Sequence, residues 1–125
     1  GVDVSLPKPK ANFVGSGSFF RDGEYIPLFK VTPIYPRRAQ ERGTMGYAIV
    51  TFTITETGTV ENAEPLEGFC GDPTNPETVF RKCTMFNSSA TRAALKLKYK
   101  PKIVDGKAVS VDDVPHKFTF ILEES

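Results

Sequence analysis

The sequence predicts an α+β domain in which two helices pack on a three-stranded antiparallel sheet. In residues 48–54 an apolar residue occupies every second position from Ala48 to Ile54, with Ile49, Thr51 and Thr53 between, as in a half-buried strand. Residues 86–97 carry apolar side chains at helical spacing, and residues 114–122 alternate again. With a short helix before the first strand, the predicted order is helix, strand, strand, helix, strand.

Length and composition favour one domain. A chain of 125 residues with 39% apolar side chains can form one compact core. Its 16 basic and 15 acidic side chains leave a formal charge of +1, which gives no overall positive field for nucleic acid. No apolar run approaches the roughly 20 residues that cross a bilayer. The sequence begins with Gly1, so we expect any signal or membrane anchor to lie outside it.

The first 23 residues show no sustained period. They contain "LPKPK" and "GSGS", so we predict a flexible linker over 1–23, with the folded domain over 24–125. The "LPKPK" arm favours a polyproline-like conformation, and an ordinary frayed terminus is the alternative. Residues 25–33 are rich in strand formers but interrupted by prolines, which indicates an edge strand or an extended lead-in.

The first helix is predicted from its ends. Pro36 suits the first helical position and Gly43 supplies the stop, with Ala39 as the inward side chain. Arg37, Arg38 and Arg42 make the helix basic, and a solvated surface is the default interpretation of such a run.

Two strands follow as a hairpin. The alternating strand turns at Gly58 into a second strand over 60–67. Pro65 cannot donate to a ladder, which places this second strand at an outer position. The inward side chains of the first strand are Ala48, Val50, Phe52 and Ile54.

The two cysteines lie 13 positions apart. Pro73 and Pro76 bend the chain between Cys70 and Cys83, which suits a loop-closing disulfide. Two free thiols are an alternative. A metal site is poorly supported, because zinc needs about four ligands and the sequence adds only His116. A disulfide would indicate an oxidising compartment.

The second helix and the last strand complete the sheet layer. Asn87 or Ser88 can cap the helix, and Asp105-Gly106 is a turn signal before the last strand. The helix places on one face Phe86, Ala90, Ala93, Ala94 and Leu97. The strand places Phe118, Phe120 and Leu122 on one face and Lys117, Thr119 and Ile121 on the other. We interpret His116 as a surface or strand-start residue.

No catalytic set is visible. The sequence has one histidine, no paired acid–base set and no phosphate loop, so we expect neither an enzyme nor a cofactor.

The sequence resembles the C-terminal domain of TonB-type energy transducers. The resemblance is carried by five segments in order: "YPRRAQERG", "GYAIVTFTITETGTVENA", "MFNSSATRAALKLKYKP", "DGKAV" and "FTFIL". The resemblance runs over residues 25–122, and the lead-in looks most like the TonB2-like branch. Two features depart from the family pattern. Leu97 stands where members often carry Trp, and the segment with both cysteines is longer than usual.

The resemblance implies a function. Members of the family are held in the inner membrane by an N-terminal helix and cross the periplasm with a Pro-rich arm. They pass proton-motive energy from ExbB/ExbD to outer-membrane receptors that take up iron-siderophore complexes or similar ligands. This chain would be the receptor-contacting end and a possible homodimer. A TolA-like domain, which tethers the envelope instead, is the alternative.

The resemblance also implies a binding site. An extended receptor segment, the TonB box, would add to an exposed sheet edge, and main-chain hydrogen bonds would hold it. We expect the last strand to supply that edge, with Lys117, Thr119 and Ile121 flanking the peptide and Phe118 and Phe120 between them. On the first helix, Tyr35, Arg37, Arg38 and Arg42 are candidates for further contact with a partner.

Overall fold

The computed structural model describes residues 6–9 and 25–123. The helices are α1 (Arg37–Arg42) and α2 (Asn87–Ala94). The strands are β1 (Lys8–Pro9), β2 (Gly46–Ile54), β3 (Val60–Cys70), β4 (Arg81–Lys82), β5 (Lys102–Val104), β6 (Lys107–Val109), β7 (Val111–Phe120) and β8 (Leu122–Glu123). The α+β fold class with two helices and an antiparallel sheet is confirmed.

The central sheet has the strand order β4-β3-β2-β7 and is antiparallel throughout. It is one strand larger than predicted, because the chain returns after Cys70 and pairs Arg81 and Lys82 with the end of β3. Two small pairs lie outside it, β1 with β8 and β5 with β6. A two-residue strand such as β4 is too short to leave a period in the sequence.

One face of the sheet carries the core. The four predicted inward side chains of β2 are buried, and so are all five predicted for α2. Phe86 of the α2 N-cap stacks on Phe120 of β7 with ring centroids 4.4 Å apart. Alanines on the inward face of α2 leave room for the helix to lie close to β2 and β3.

Helix α1 is fixed to the strand that follows it. Pro36 is the N-cap, with extended backbone, and not the first helical residue as predicted. Gly43 ends the helix in the left-handed conformation at φ 68°. The hydroxyl of buried Tyr35 donates to the carbonyl of Thr44, and this bond joins the residues on either side of the helix. The Gly43 conformation and the Tyr35–Thr44 bond together fix the direction in which the chain leaves α1 for β2.

Helix α2 begins without the predicted cap. Neither Asn87 nor Ser88 caps it, and the helix starts after Phe86 with no side-chain bond at its N-cap. A Cβ on Gly68 of β3 would lie 2.3 Å from the Asn87 side-chain oxygen, so Asn87 packs against the strand. The hydroxyl of Ser89 donates to the carbonyl of Ile34 and ties the lead-in to α2.

The lead-in over 25–33 forms no strand, and it bends at Leu28 and Phe29. Its Leu28 amide donates to the Lys98 carbonyl at 2.8 Å. Only four residues of the predicted linker are described. Two of them, Lys8 and Pro9, pair with β8, and the carbonyl of Pro7 accepts a bond from Gln40 Nε2 of α1 at 2.7 Å. The flexible linker over 1–23 and the boundary at 24 remain predictions.

Within the described residues, neither helix is both long and apolar enough to span a membrane.

Candidate partner-binding edge

Strand β7 lies at one edge of the central sheet. Its register with β2 runs without a shift from Phe120 opposite Gly46 to Val114 opposite Phe52. In the described part of the chain, β2 is the only strand that pairs with β7. Among the described strands, none pairs with the other side of β7, which is the position of an edge strand.

The direction of the β7 amides follows from the register. The carbonyl of Gly68 accepts a bond from the Cys83 amide at 3.1 Å, so Gly68 faces away from β2. Ala48 lies opposite Gly68 and therefore directs its own N–H and C=O towards β7, where it meets Phe118. By alternation, Phe118 bonds inward and Lys117 and Thr119 face outward.

Both prolines of the sheet agree with this assignment. Pro115 lies two residues before Lys117, so its backbone groups point to the same side of the strand, and the N–H that it lacks would have pointed outward. Pro65 of β3 lies opposite Val50. Val50, like Ala48, directs its backbone groups towards β7, so the N–H that Pro65 lacks would have pointed away from β2. Neither proline interrupts a ladder, and the outer side of β7 presents donors at 117 and 119.

The side chains of β7 divide between two faces. Phe118 and Phe120 are buried in the core beneath the helices. Lys117 and Thr119 lie on the opposite face, which we call the open face. The Lys117 ammonium lies 4.3 Å from the centre of the Tyr47 ring, a cation–π contact. Lys117 is therefore held beside the edge.

Tyr47 is the centre of an aromatic cluster on the open face. Its ring lies 5.1 Å from that of Phe69 and 5.2 Å from that of Phe80. Burial, and then the charge of Glu67, raise the pKa of the Tyr47 hydroxyl. Tyr47 could have been recognised from its outward position in the alternating strand. Phe80 could not, because it reaches the cluster from the loop between the cysteines.

Ile121 lies just beyond the β7 ladder. The ladder ends at Phe120, and pairing resumes at Leu122 with Pro9 of β1. Ile121 is 4% exposed but does not belong to the core cluster, whereas Leu122 packs against that cluster. The predicted place of Ile121 beside a bound peptide stays a prediction.

Tyr35 is part of the core. Its ring makes edge-to-face contacts with Phe86 and Phe120 at 5.8 and 5.6 Å. Burial raises the pKa of its hydroxyl, which is bonded to Thr44. Tyr35 is not available for the predicted contact with a partner, but it holds the start of α1 beside the end of β7.

The three arginines of α1 are exposed. Arg37 forms the single ion pair of the described residues, with Nε 3.9 Å from Glu41 Oε2, at two exposed side chains. Such a pair contributes little to stability. Arg38 and Arg42 lie one helical turn apart and share a face. The helix therefore presents positive charge close to the end of the β7 edge.

His116 is partly buried and is not at a strand start. It lies within β7 opposite Val50, with its ring 4.6 Å from that of Phe118. Burial lowers the pKa of its imidazole to about 4. The histidine is therefore neutral at physiological pH.

Cys70 and Cys83 form a disulfide with Cα atoms 5.7 Å apart. The bond joins the end of β3 to the segment before α2 and holds β4 against Phe69 and Cys70. Among the residues that the structure describes, no group of three or more potential ligands could hold a metal ion.

The chain matches a family model described as Gram-negative bacterial TonB protein C-terminal over residues 31–68. A curated relative, Protein TonB of Pseudomonas aeruginosa, is 34% identical over 95 residues, which cover 76% of this chain and 24% of that protein. The chain thus spans about a quarter of the length of this relative.

Two solved structures share the fold. The solution NMR structure of the Pseudomonas aeruginosa TonB C-terminal domain matches with a TM-score of 0.57 and 31% identity, over 83% of this chain and 92% of that one. A structure from the molecular characterisation of the TonB2 protein of Vibrio anguillarum matches with a TM-score of 0.56 and 30% identity, over 99% of both chains.

Proposed function

We propose, from the premise that this chain belongs to the family of TonB C-terminal domains, that it is the periplasmic receptor-binding domain of a TonB-type energy transducer. In this proposal it binds the TonB box of outer-membrane receptors. It couples the inner-membrane proton-motive force to the uptake of iron-siderophore complexes or similar ligands. ExbB/ExbD would act on a part of the protein outside this sequence, through an N-terminal helix in the inner membrane.

The single observation that carries the proposal is the free side of β7. An extended peptide placed there would accept hydrogen bonds from the outward amides of Lys117 and Thr119. Main-chain bonds of this kind depend little on the side chains of the peptide. One domain could therefore bind receptor segments of different sequence.

The position of β7 also suits the transfer of force. The strand is paired with β2 along most of its length, and β2 is the inner strand on which both α2 and β3 pack. Phe118 and Phe120 fix β7 from beneath by burial in the core. A pull on a peptide bonded to β7 would therefore be carried by many backbone bonds and by the core together.

Side chains beside the edge would add selectivity. Lys117 and Thr119 flank the added strand on the open face, and Tyr47 supports Lys117 from below. Arg38 and Arg42 of α1 offer positive charge near the Phe120 end. These groups are proposed secondary contacts, and the ladder is the primary one.

The test removes one outward donor. Thr119→Pro should weaken binding of a synthetic TonB-box peptide on the order of 10-fold to 100-fold, because a peptide acceptor loses its partner while the inward ladder is unchanged. Thr119→Ala keeps the amide and should change the dissociation constant by less than about threefold. Isothermal titration calorimetry measures both.

Lys117→Pro provides a second outward variant, and circular dichroism checks that each proline variant is folded. Unchanged peptide affinity in both folded variants would contradict the proposed edge and direct attention to the arginines of α1. If the unaltered domain retains no receptor plug in a pull-down, receptor binding itself is refuted and the tethering alternative is favoured.

A further inference from the structure

Positive charge is concentrated in one short segment of the chain. Residues 92–107 contain one acidic side chain, Asp105, and six basic ones: Arg92, Lys96, Lys98, Lys100, Lys102 and Lys107. The formal charge of +1 for the whole chain hides this local excess. All six basic side chains are exposed, so the excess lies on the surface.

The segment is built so that its lysines point away from the core. Leu97 and Tyr99 are 1% and 3% exposed and alternate with the exposed Lys96, Lys98 and Lys100. The amide of Tyr99 donates to the carbonyl of Gly58, which holds this stretch against the turn between β2 and β3. The lysines are therefore displayed by fixed backbone.

Aliphatic side chains accompany the lysines. The β5–β6 hairpin turns at Asp105 and Gly106, both with positive φ, and lies outside the central sheet. Ile103 and Val104 just before this turn are 60% and 44% exposed, and Leu95 at the end of α2 is 51% exposed. Leu28 of the lead-in, bonded to Lys98, is 64% exposed.

We propose that this surface, the basic hairpin end (residues 95–107 with Leu28), binds a phospholipid bilayer that carries anionic headgroups. Clustered lysines are attracted to such a surface, and their aliphatic stems can lie along its boundary. Ile103 and Val104 at a protruding turn can enter the interfacial layer, as the apolar face of an interfacial helix does.

The chemistry favours a lipid surface over an acidic protein. All five cations of the basic hairpin end are lysines, which act as point charges and do not form the two-pronged bonds by which arginine selects individual carboxylates. The exposed apolar groups at the hairpin turn are aliphatic, whereas interfaces between proteins are enriched in aromatic side chains.

Membrane contact would leave the β7 edge free. The hairpin joins β7 at Val111, while Lys117 and Thr119 lie towards the opposite end of that strand. At the rise of an extended strand, Thr119 is roughly 25 Å from Val111. The bilayer and a peptide would therefore meet different parts of the domain.

Vesicle sedimentation of the 125-residue chain tests this inference. The chain should sediment with vesicles of phosphatidylcholine and phosphatidylglycerol and stay in solution with phosphatidylcholine alone. The triple variant K100Q/K102Q/K107Q should partition on the order of 100-fold more weakly. The matched triple R37Q/R38Q/R42Q removes the same charge from α1 and should bind nearly as well as the unaltered chain.

A second variant tests the aliphatic part. Ile103→Ser with Val104→Ser keeps every lysine and should lower partitioning several-fold, with circular dichroism as the check on folding. No sedimentation with anionic vesicles, or equal loss in both charge triples, would overturn the proposal. Binding to soluble polyglutamate with no binding to vesicles would overturn it in favour of an acidic protein partner.

Discussion

The two edges of the central sheet differ in how they are finished. Strand β7 presents a regular ladder from Val114 to Phe120, and Lys117 is the one charged side chain along that stretch. The pairing of β3 with β2 is interrupted by a register shift opposite Ile49 and Val50 of β2, and Asn62 of β3 has a positive φ. Its last two residues are covered by β4.

The β3 edge has the features by which proteins keep edge strands from pairing. It carries Pro65, a bulge and three exposed glutamates, Glu61, Glu64 and Glu67. The β7 edge also has one proline, Pro115, and an irregularity with positive φ at Asp113, but both precede Lys117 and Thr119. We therefore expect an added strand to pair with the later part of β7 more readily than with β3.

The largest expected effect comes from the disulfide that closes the β3 side. Replacing both cysteines by serine, Cys70→Ser with Cys83→Ser, should lower the free energy of unfolding by about 3 kcal/mol, because the denatured chain gains the entropy of an open loop. Urea denaturation measures the change. Peptide affinity at β7 should stay within about threefold. A large loss of affinity in the folded variant would show that the two edges are coupled.

A smaller effect should follow acidification, and it acts on the β7 side. The fold lowers the pKa of His116 to about 4 from 6.5, so between these values the unfolded chain binds more protons. Stability is therefore full above pH 6.5 and is lost as the pH falls towards 4. The loss should be about 2 kcal/mol, since the ring is not completely buried.

His116→Gln is the control for this pH dependence. Denaturation curves of the variant at pH 7 and pH 4.5 should differ by clearly less than those of the unaltered chain. Equal pH dependence in both proteins would show that other groups are responsible.

The smallest effect is expected from removal of the N-terminal segment. A truncation that begins at Asp22 loses the β1 pairing and the bond from Gln40 to Pro7. These contacts are few and partly solvated, so the loss should be less than about 1 kcal/mol, or a few degrees in melting temperature. A drop of ten degrees or more would mean that the segment is part of the folded domain.

The core was predictable because its patterns are long. The seven residues 48–54 and the apolar residues at helical spacing over 86–97 leave a clear period, and the predicted inward side chains of both are buried in the structure. The two-residue strands β1, β4 and β8 leave none. The uncapped start of α2 was missed because packing of Asn87 against Gly68 outweighs the local preference for a cap.

The candidate edge was predictable in part. The order of elements and Pro65 point to β7 as the outer strand, and within the described residues β7 pairs only with β2. That a partner binds this strand stays a prediction. The directions of its amides depend on register, which the sequence does not specify. The burial of Ile121 could not be predicted, because the ladder stops at Phe120 and the period of the strand says nothing about what covers a residue beyond it.

Amide hydrogen exchange followed by NMR, with and without a saturating TonB-box peptide, tests the central claim most directly. We expect the amides of Lys117 and Thr119 to become strongly protected when the peptide binds. Those of Phe118 and Phe120, already bonded to β2, and those along β3 should change little. Protection gained along β3, or none gained at Lys117 and Thr119 while the peptide is bound, would contradict it.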